Sequence, residues 1–170
     1  RNFYTRRDGG AENRPGTKFV AEVKDSSKTV RLVPFVFNEE QTYLLEFGPG
    51  YVRFHRTGKP IREPSKFITG LTQADPAVAT CIANGYAEGD TVFVERLGDN
   101  DGMNEVWGQS FLVSAPATDA FNLKHLDGEN VDGASYTAFS EDLMVSRVYE
   151  IGTPYTEQDL MELDIKQSAN

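Results

Sequence analysis

Cysteine is nearly absent from the sequence. Cys81 stands alone among 170 residues, which excludes an internal disulfide and any cysteine-based structural zinc site. Histidine is almost as scarce: with His55 and His125 the only imidazoles, metal chemistry would have to rest on carboxylates. No apolar run approaches the ~20 residues that a membrane-spanning helix needs. The first residues are polar and basic with no apolar stretch behind them, so no signal-peptide pattern is present. The chain opens on Arg1 rather than Met and ends abruptly at Asn170, as expected of a piece of a longer polypeptide. Basic residues are scarce in most of the chain: residues 67–170 hold 4 Lys and Arg against 18 Asp and Glu, while residues 1–66 hold 13 against 8. The net charge of -9 argues against nucleic acid as the main partner of the whole surface. Its uneven division points to two units with different surfaces.

What is present reads as β structure. Three apolar runs, Val30 to Phe37, Tyr43 to Phe47 and Tyr51 to Phe54, are separated by Asn38-Glu39-Glu40-Gln41 and by Gly48-Pro49-Gly50. Runs of this length bounded by Gly, Pro and Asn predict strands joined by tight hairpins. Phe19, Ala21 and Val23 extend the period of two upstream, predicting a strand from Thr17 to Val23 and an antiparallel sheet of at least four strands. Pro34 has no N–H for a ladder, so its strand belongs at a sheet edge or carries a bulge. Residues 57–66, with two prolines, a glycine and three basic residues, predict a linker.

The second unit runs from about Phe67 to Ile151. Its short runs, Val78 to Ala83, Thr91 to Leu97, Ser110 to Ser114, Ala120 to Leu126 and Leu143 to Ile151, are punctuated by turn residues and predict a small barrel or sandwich. The final stretch predicts a short helix from Glu157 to Leu163, with Thr156 as N-cap and Asp159 closing a capping box, packed on parts of a parent protein outside this chain. The expected class is therefore all-β. It comprises a unit over 1–64, an inserted barrel over 65–151 and a return segment with a short helix over 152–170.

Chemistry-bearing motifs are few. Cys81, flanked by Ala79, Thr80, Ile82 and Ala83, reads as a structural cysteine in a buried strand. Asp99, Asn100, Asp101, Asn104 and Glu105 place oxygens at calcium-like spacing, but without the EF-hand pattern they read as a polar hairpin loop. Asp127, Glu129 and Asp132 read the same way. No G-x-S-x-G elbow, phosphate loop or marked carboxylate pair occurs, so no catalytic, metal or cofactor residue is assigned. Trp107, Tyr86 and Tyr136 are either a sugar platform or core and rim residues. Arg6, Arg7 and Arg14 form either a solvated arm or a contact arm reaching a neighbouring subunit or a nucleic acid phosphate.

Two stretches carry a resemblance. Gly9 to Val23, GGAENRPGTKFVAEV, followed by Arg31 to Gly48, RLVPFVFNEEQTYLLEFG, resembles structural tail proteins of tailed bacteriophages and prophages. The second unit, through Asp75-Pro76-Ala77-Val78, Gly89-Asp90-Thr91-Val92, Gly102-Met103-Asn104-Glu105-Val106 and Thr118-Asp119-Ala120-Phe121-Asn122-Leu123, is similar to that family's FCCH-like insert. That label comes from ubiquitin-activating enzymes. It implies no ubiquitin chemistry here, because the catalytic-cysteine and adenylation domains of those enzymes are missing from this sequence.

The resemblance implies a non-enzymatic tail component of the tube or nozzle type, located in the virion and in the host cytoplasm during assembly. Its implied partners are sibling subunits and other tail proteins in a ring, with DNA in passage past the acidic unit. The alternative is a host-surface glycan-binding module that uses Trp107, Tyr86 and the loops near Gly102. Family members continue well beyond the Gln167-Ser168-Ala169 stretch, so assembly contacts made there lie outside this chain.

Overall fold

Alternating apolar runs should pair into antiparallel sheets, and they do. The structure, a computed structural model, describes residues 3–5, 7, 9–13, 19–38, 41–98, 102–140 and 142–166. Its strands are, in chain order, β1 (Phe3–Thr5), β2 (Ala11–Asn13), β3 (Arg31–Asn38), β4 (Gln41–Gly48), β5 (Tyr51–Arg56), β6 (Lys59–Pro60), β7 (Lys66–Ile68), β8 (Gly70–Leu71), β9 (Val78–Thr80), β10 (Thr91–Arg96), β11 (Ser110–Ser114), β12 (Ala120–Lys124), β13 (Leu143–Arg147) and β14 (Glu150–Gly152). One short helix, α1 (Asp159–Glu162), follows. Among the described residues, strands β1 and β2 pair only with each other. The rest form two antiparallel sheets, so the chain is all-β with one short C-terminal helix.

The first sheet has the order β14-β5-β4-β3, with β6 also pairing β5. Pro49-Gly50 closes the β4–β5 hairpin, with Gly50 at φ +78 where a turn of this kind needs a left-handed residue. Pro34 lies in β3 at the edge of this sheet, and the β3–β4 register shifts between Val36 and Asn38. Both features fit a residue without an N–H.

Three expectations need correction. Residues 19–23 form no strand: Phe19 and Val20 are both exposed, and the flank of β5 is taken instead by β14 and β6 from later in the chain. Residues 17 and 18 lie outside the described residues. Residues 57–66 are not a loose linker. Thr57 and Gly58, with φ of 50 and 72, make a two-residue hairpin turn into β6. Beyond it Ile61 N–H donates to Phe54 O at 2.7 Å, and Arg62 bridges to Val148. The apolar run Leu143 to Ile151 is two strands, not one. It leaves the second sheet after Arg147 and joins the first at Glu150, with Tyr149 N–H donating to Ile61 O at 2.9 Å.

The second sheet has the order β7-β13-β10-β11-β12-β9-β8. Its ends, β7 and β8, are consecutive in sequence. The stretch Lys66 to Leu71 pairs with β13 through its first half and with β9 through its second, while Thr69 N–H donates to Thr80 O at 2.8 Å. The sheet thereby curls into a nearly closed barrel. Strands β11 and β12 alternate half-buried and buried positions, sending Phe111, Val113, Phe121 and Leu123 inward beside Val92 and Val94 of β10. Each such side chain contributes about 1.5–3 kcal/mol on burial. Cys81 is fully buried here, just past the end of β9.

The C-terminal helix is shorter than predicted. Its N-cap is Gln158, which makes no side-chain cap bond, and not Thr156 as expected; Thr156 N–H and hydroxyl both donate to the Asp159 carboxylate at 2.7 Å, the acidic half of a capping box. At the other end Arg31 Nη1 donates to the carbonyls of Leu160 and Leu163 at 2.9 and 2.7 Å. Leu160 is fully buried, so the helix packs against this chain itself rather than only on something outside it. Among the described residues no helix is long and apolar enough to cross a membrane.

Candidate functional site

Tyr51, Arg53 and His55 alternate along β5 and so share one face. Register places Glu46 of β4 opposite Arg53 on that same face. All four are buried, which is unusual for charged residues on a sheet. Tyr51 hydroxyl donates to Glu46 Oε1 at 2.8 Å, and His55 Nε2 lies 2.9 Å from Glu46 Oε2. Gly48 makes room for this, since a Cβ there would meet the Tyr51 ring at 2.2 Å. Arg53 Nε donates to Glu150 Oε2 at 3.1 Å, its Nη2 donates to Thr91 Oγ1 of the barrel at 2.6 Å, and Lys24 Nζ donates to Glu150 Oε1 at 2.6 Å. Beside them Arg147 holds Asp90 and Glu63 at 2.9 and 2.7 Å. Sheet and barrel thus meet across a seam of ion pairs and hydrogen bonds.

Burial alone would raise the Glu46 carboxyl. Hydrogen bonds from His55 and Tyr51 and the Arg53 charge outweigh it and hold Glu46 below its ordinary value of 4.5. Burial, with the Glu46 charge beside it, pushes the Tyr51 phenol far above its usual range. Folding therefore favours the ionised Glu46. Its contribution to stability is complete above about pH 5 and drains away as pH falls through the unfolded value toward the lower folded one. Urea unfolding measured between about pH 5 and 3 should show stability falling with pH, with a shallower slope in Glu46→Gln. An unchanged slope would remove Glu46 as a contributor. Asp25 and Asp159, held low by the hydroxyls of Ser27 and Thr156, add slope of the same sign and remain in that variant.

A cleft of about 840 Å³ opens on the outer side of the same junction. Its floor is the barrel's outer surface, with Phe93, Glu95 and Arg96 of β10, Trp107 and Gln109. Its walls are Phe19–Glu22, then Lys59, Pro60 and Arg62, and His125–Asp127. Trp107 is thrust outward because its neighbours are anchored: Val106 is fully buried, and Gly108 N–H donates to Val94 O at 2.8 Å. The Arg96 guanidinium lies 5.2 Å from the Trp107 ring centre, and that of Arg62 lies 4.5 Å from the Phe93 ring centre while pairing with Glu95.

The candidate residues do not converge. Trp107 is 44% exposed in this cleft, whereas Tyr86 is in the barrel core, edge-on to Phe121 at 5.3 Å. Asn84 fixes Tyr86 there, donating to Ala117 O and Thr118 O and accepting from the Tyr86 N–H. Trp107 and Tyr86 therefore share no surface, and a platform that uses both does not form. Tyr136 is half-buried and packs against the barrel core, the core-and-rim alternative for that residue. Arg7 is exposed, while Arg6 and Arg14 lie outside the described residues.

Burial raises the Cys81 thiol and so disfavours a thiolate. Asp127 and Asp132 use their carboxylates to accept the N–H of Glu129 and of Ala134, at 3.0 and 2.9 Å, as turn caps. Residues 99–101 of the other acidic loop lie outside the described residues. Among the described residues no cluster of three or more His, Cys, Asp or Glu could hold a metal ion.

The buried group around Glu46 was not singled out from sequence. Its signal was present, since Tyr51, Arg53 and His55 recur with a period of two across a Pro-Gly turn from Glu46. Comparison with protein-family models finds no match to this chain, and comparison with curated proteins finds none either.

Proposed function

We propose that this chain is a non-enzymatic structural component of a bacteriophage tail that packs against sibling subunits in a ring. One observation carries the reading beyond the sequence resemblance. On the face of the first sheet that carries Glu46, the edge of β3 and β4 presents Leu32, Pro34, Val36 and Leu44, and Leu32 and Val36 are 54% and 47% exposed. A contiguous apolar surface of this kind is the usual mark of a protein contact. The acidic excess, 4 basic against 18 acidic residues over 67–170, falls mostly in the barrel. Facing a passage, such a surface repels DNA phosphates and keeps moving DNA from adhering.

Light scattering coupled to size exclusion tests the packing. Self-association that grows with concentration and is lost in Leu32→Asp with Leu44→Asp is the expected result. A chain that stays monomeric at high concentration, or whose association ignores those substitutions, would sink the proposal.

A further inference from the structure

We infer that the cleft over Phe93 and Trp107 binds a neutral oligosaccharide. The inference is independent of the tail-assembly reading and stands on the geometry of the cleft alone. Three basic side chains, Lys59, Arg62 and Arg96, face three acidic ones, Glu22, Glu95 and Asp127. Among the described lining residues the charges balance, and Arg62 and Glu95 already pair with each other, so these side chains favour neither an anion nor a cation. What remains is short-range chemistry. Carboxylates accept from hydroxyls, guanidinium and amide N–H groups donate to them, and this mixture suits a ligand whose polar groups are all hydroxyls.

The apolar surfaces fit the same ligand. A pyranose has one face of C–H groups, whose slight positive charge is attracted to the negative face of an aromatic ring. Trp107 offers such a ring at 44% exposure, with the Arg96 guanidinium over one face, and the half-buried Phe93 under Arg62 and the exposed Phe19 and Val20 line the same cleft. The volume of about 840 Å³ lies within the ~300–1,000 Å³ typical of small-ligand sites. An extended peptide is the less favoured occupant. Strand β10, the floor, is paired on both sides by β11 and β13, so it has no open edge on which a peptide could lay a ladder.

Trp107 is the single tryptophan of the chain, so intrinsic tryptophan emission reports from this cleft and nowhere else. The test titrates the full chain with maltohexaose, cellohexaose and chitohexaose, with an oligogalacturonate hexamer as the charged comparison, and repeats each titration by calorimetry. The expected result is a saturable emission shift and matching heat with at least one neutral hexamer. By calorimetry the affinity should fall at least about tenfold in Trp107→Ala and less in Trp107→Phe, with the melting temperature of both variants unchanged. Three results would overturn the inference: no neutral hexamer binding at about 10 mM, binding that survives Trp107→Ala, or binding of the oligogalacturonate alone.

Discussion

Arg53→Ala is expected to lower stability by about 3–5 kcal/mol, read as a fall in melting temperature of roughly 6–20 °C. The guanidinium is 3% exposed and is shared by three parts of the chain: Glu150 of β14, Thr91 of β10 and, through space, Glu46 of β4. Alanine removes the cation and leaves Glu46 at 3% exposure without the Arg53 charge that helps to hold it ionised. Breaking one member of a buried ionic group costs more than the group contributes as a whole, because the remaining charge stays desolvated. Thermal melts of parent and variant decide the matter. A fall of only a degree or two would mean that water reaches the seam and that the ion pairs there behave as surface pairs.

The second large effect lies in the barrel. Phe121→Ala should cost about 3–5 kcal/mol, the lost transfer energy of the ring plus the cavity it leaves. Phe121 is 1% exposed, stands on β12 between β11 and β9, and meets Tyr86 edge-on. The cavity would open in a closed layer of Val92, Val94, Phe111 and Leu123, which can collapse only a little because strands on both sides fix β12. Denaturant unfolding gives the number directly. A shift below about 1 kcal/mol would show a core loose enough to refill the space.

Where the sequence was legible, local pattern and tertiary need agreed. Strands β3, β4 and β5 read correctly because alternation, Pro34 and the Pro-Gly turn all point the same way. Ser110 to Ser114 matches β11 residue for residue. The misses share a different cause. β7 and β8 have three and two residues, too few for a period to show, and they exist because Lys66 to Leu71 is shared between the two ends of one sheet. The break between β13 and β14 has no turn residue to announce it, since the chain changes sheets by packing. Phe19, Ala21 and Val23 have the right period but no strand to pair with. At the candidate site, aromatic content alone could not separate Trp107 from Tyr86. The Asn84 hydrogen bonds and the anchors at Val106 and Gly108 make that choice, and these are long-range facts. The charged group around Glu46 was legible in phase, but burial of charge is a tertiary decision.

The crossing between the sheets also decides how the molecule carries load. The chain enters the barrel region at Arg62 and leaves it at Val148, and these two residues bridge each other as antiparallel neighbours. Glu63 N–H donates to Arg147 O at 2.9 Å just beyond, and the side chains of the same two residues pair at 2.7 Å. A force drawing the barrel away from the sheet therefore pulls on both strands of one narrow stem at once. Tension is divided between two covalent backbones that have no tendency to slide past each other, so the hydrogen bonds between them are spared. The barrel is tethered like a bucket on a doubled rope: once the Arg53–Thr91 contact of the seam parts, the next place to yield is the ladders that fasten β6 and β14 to β5.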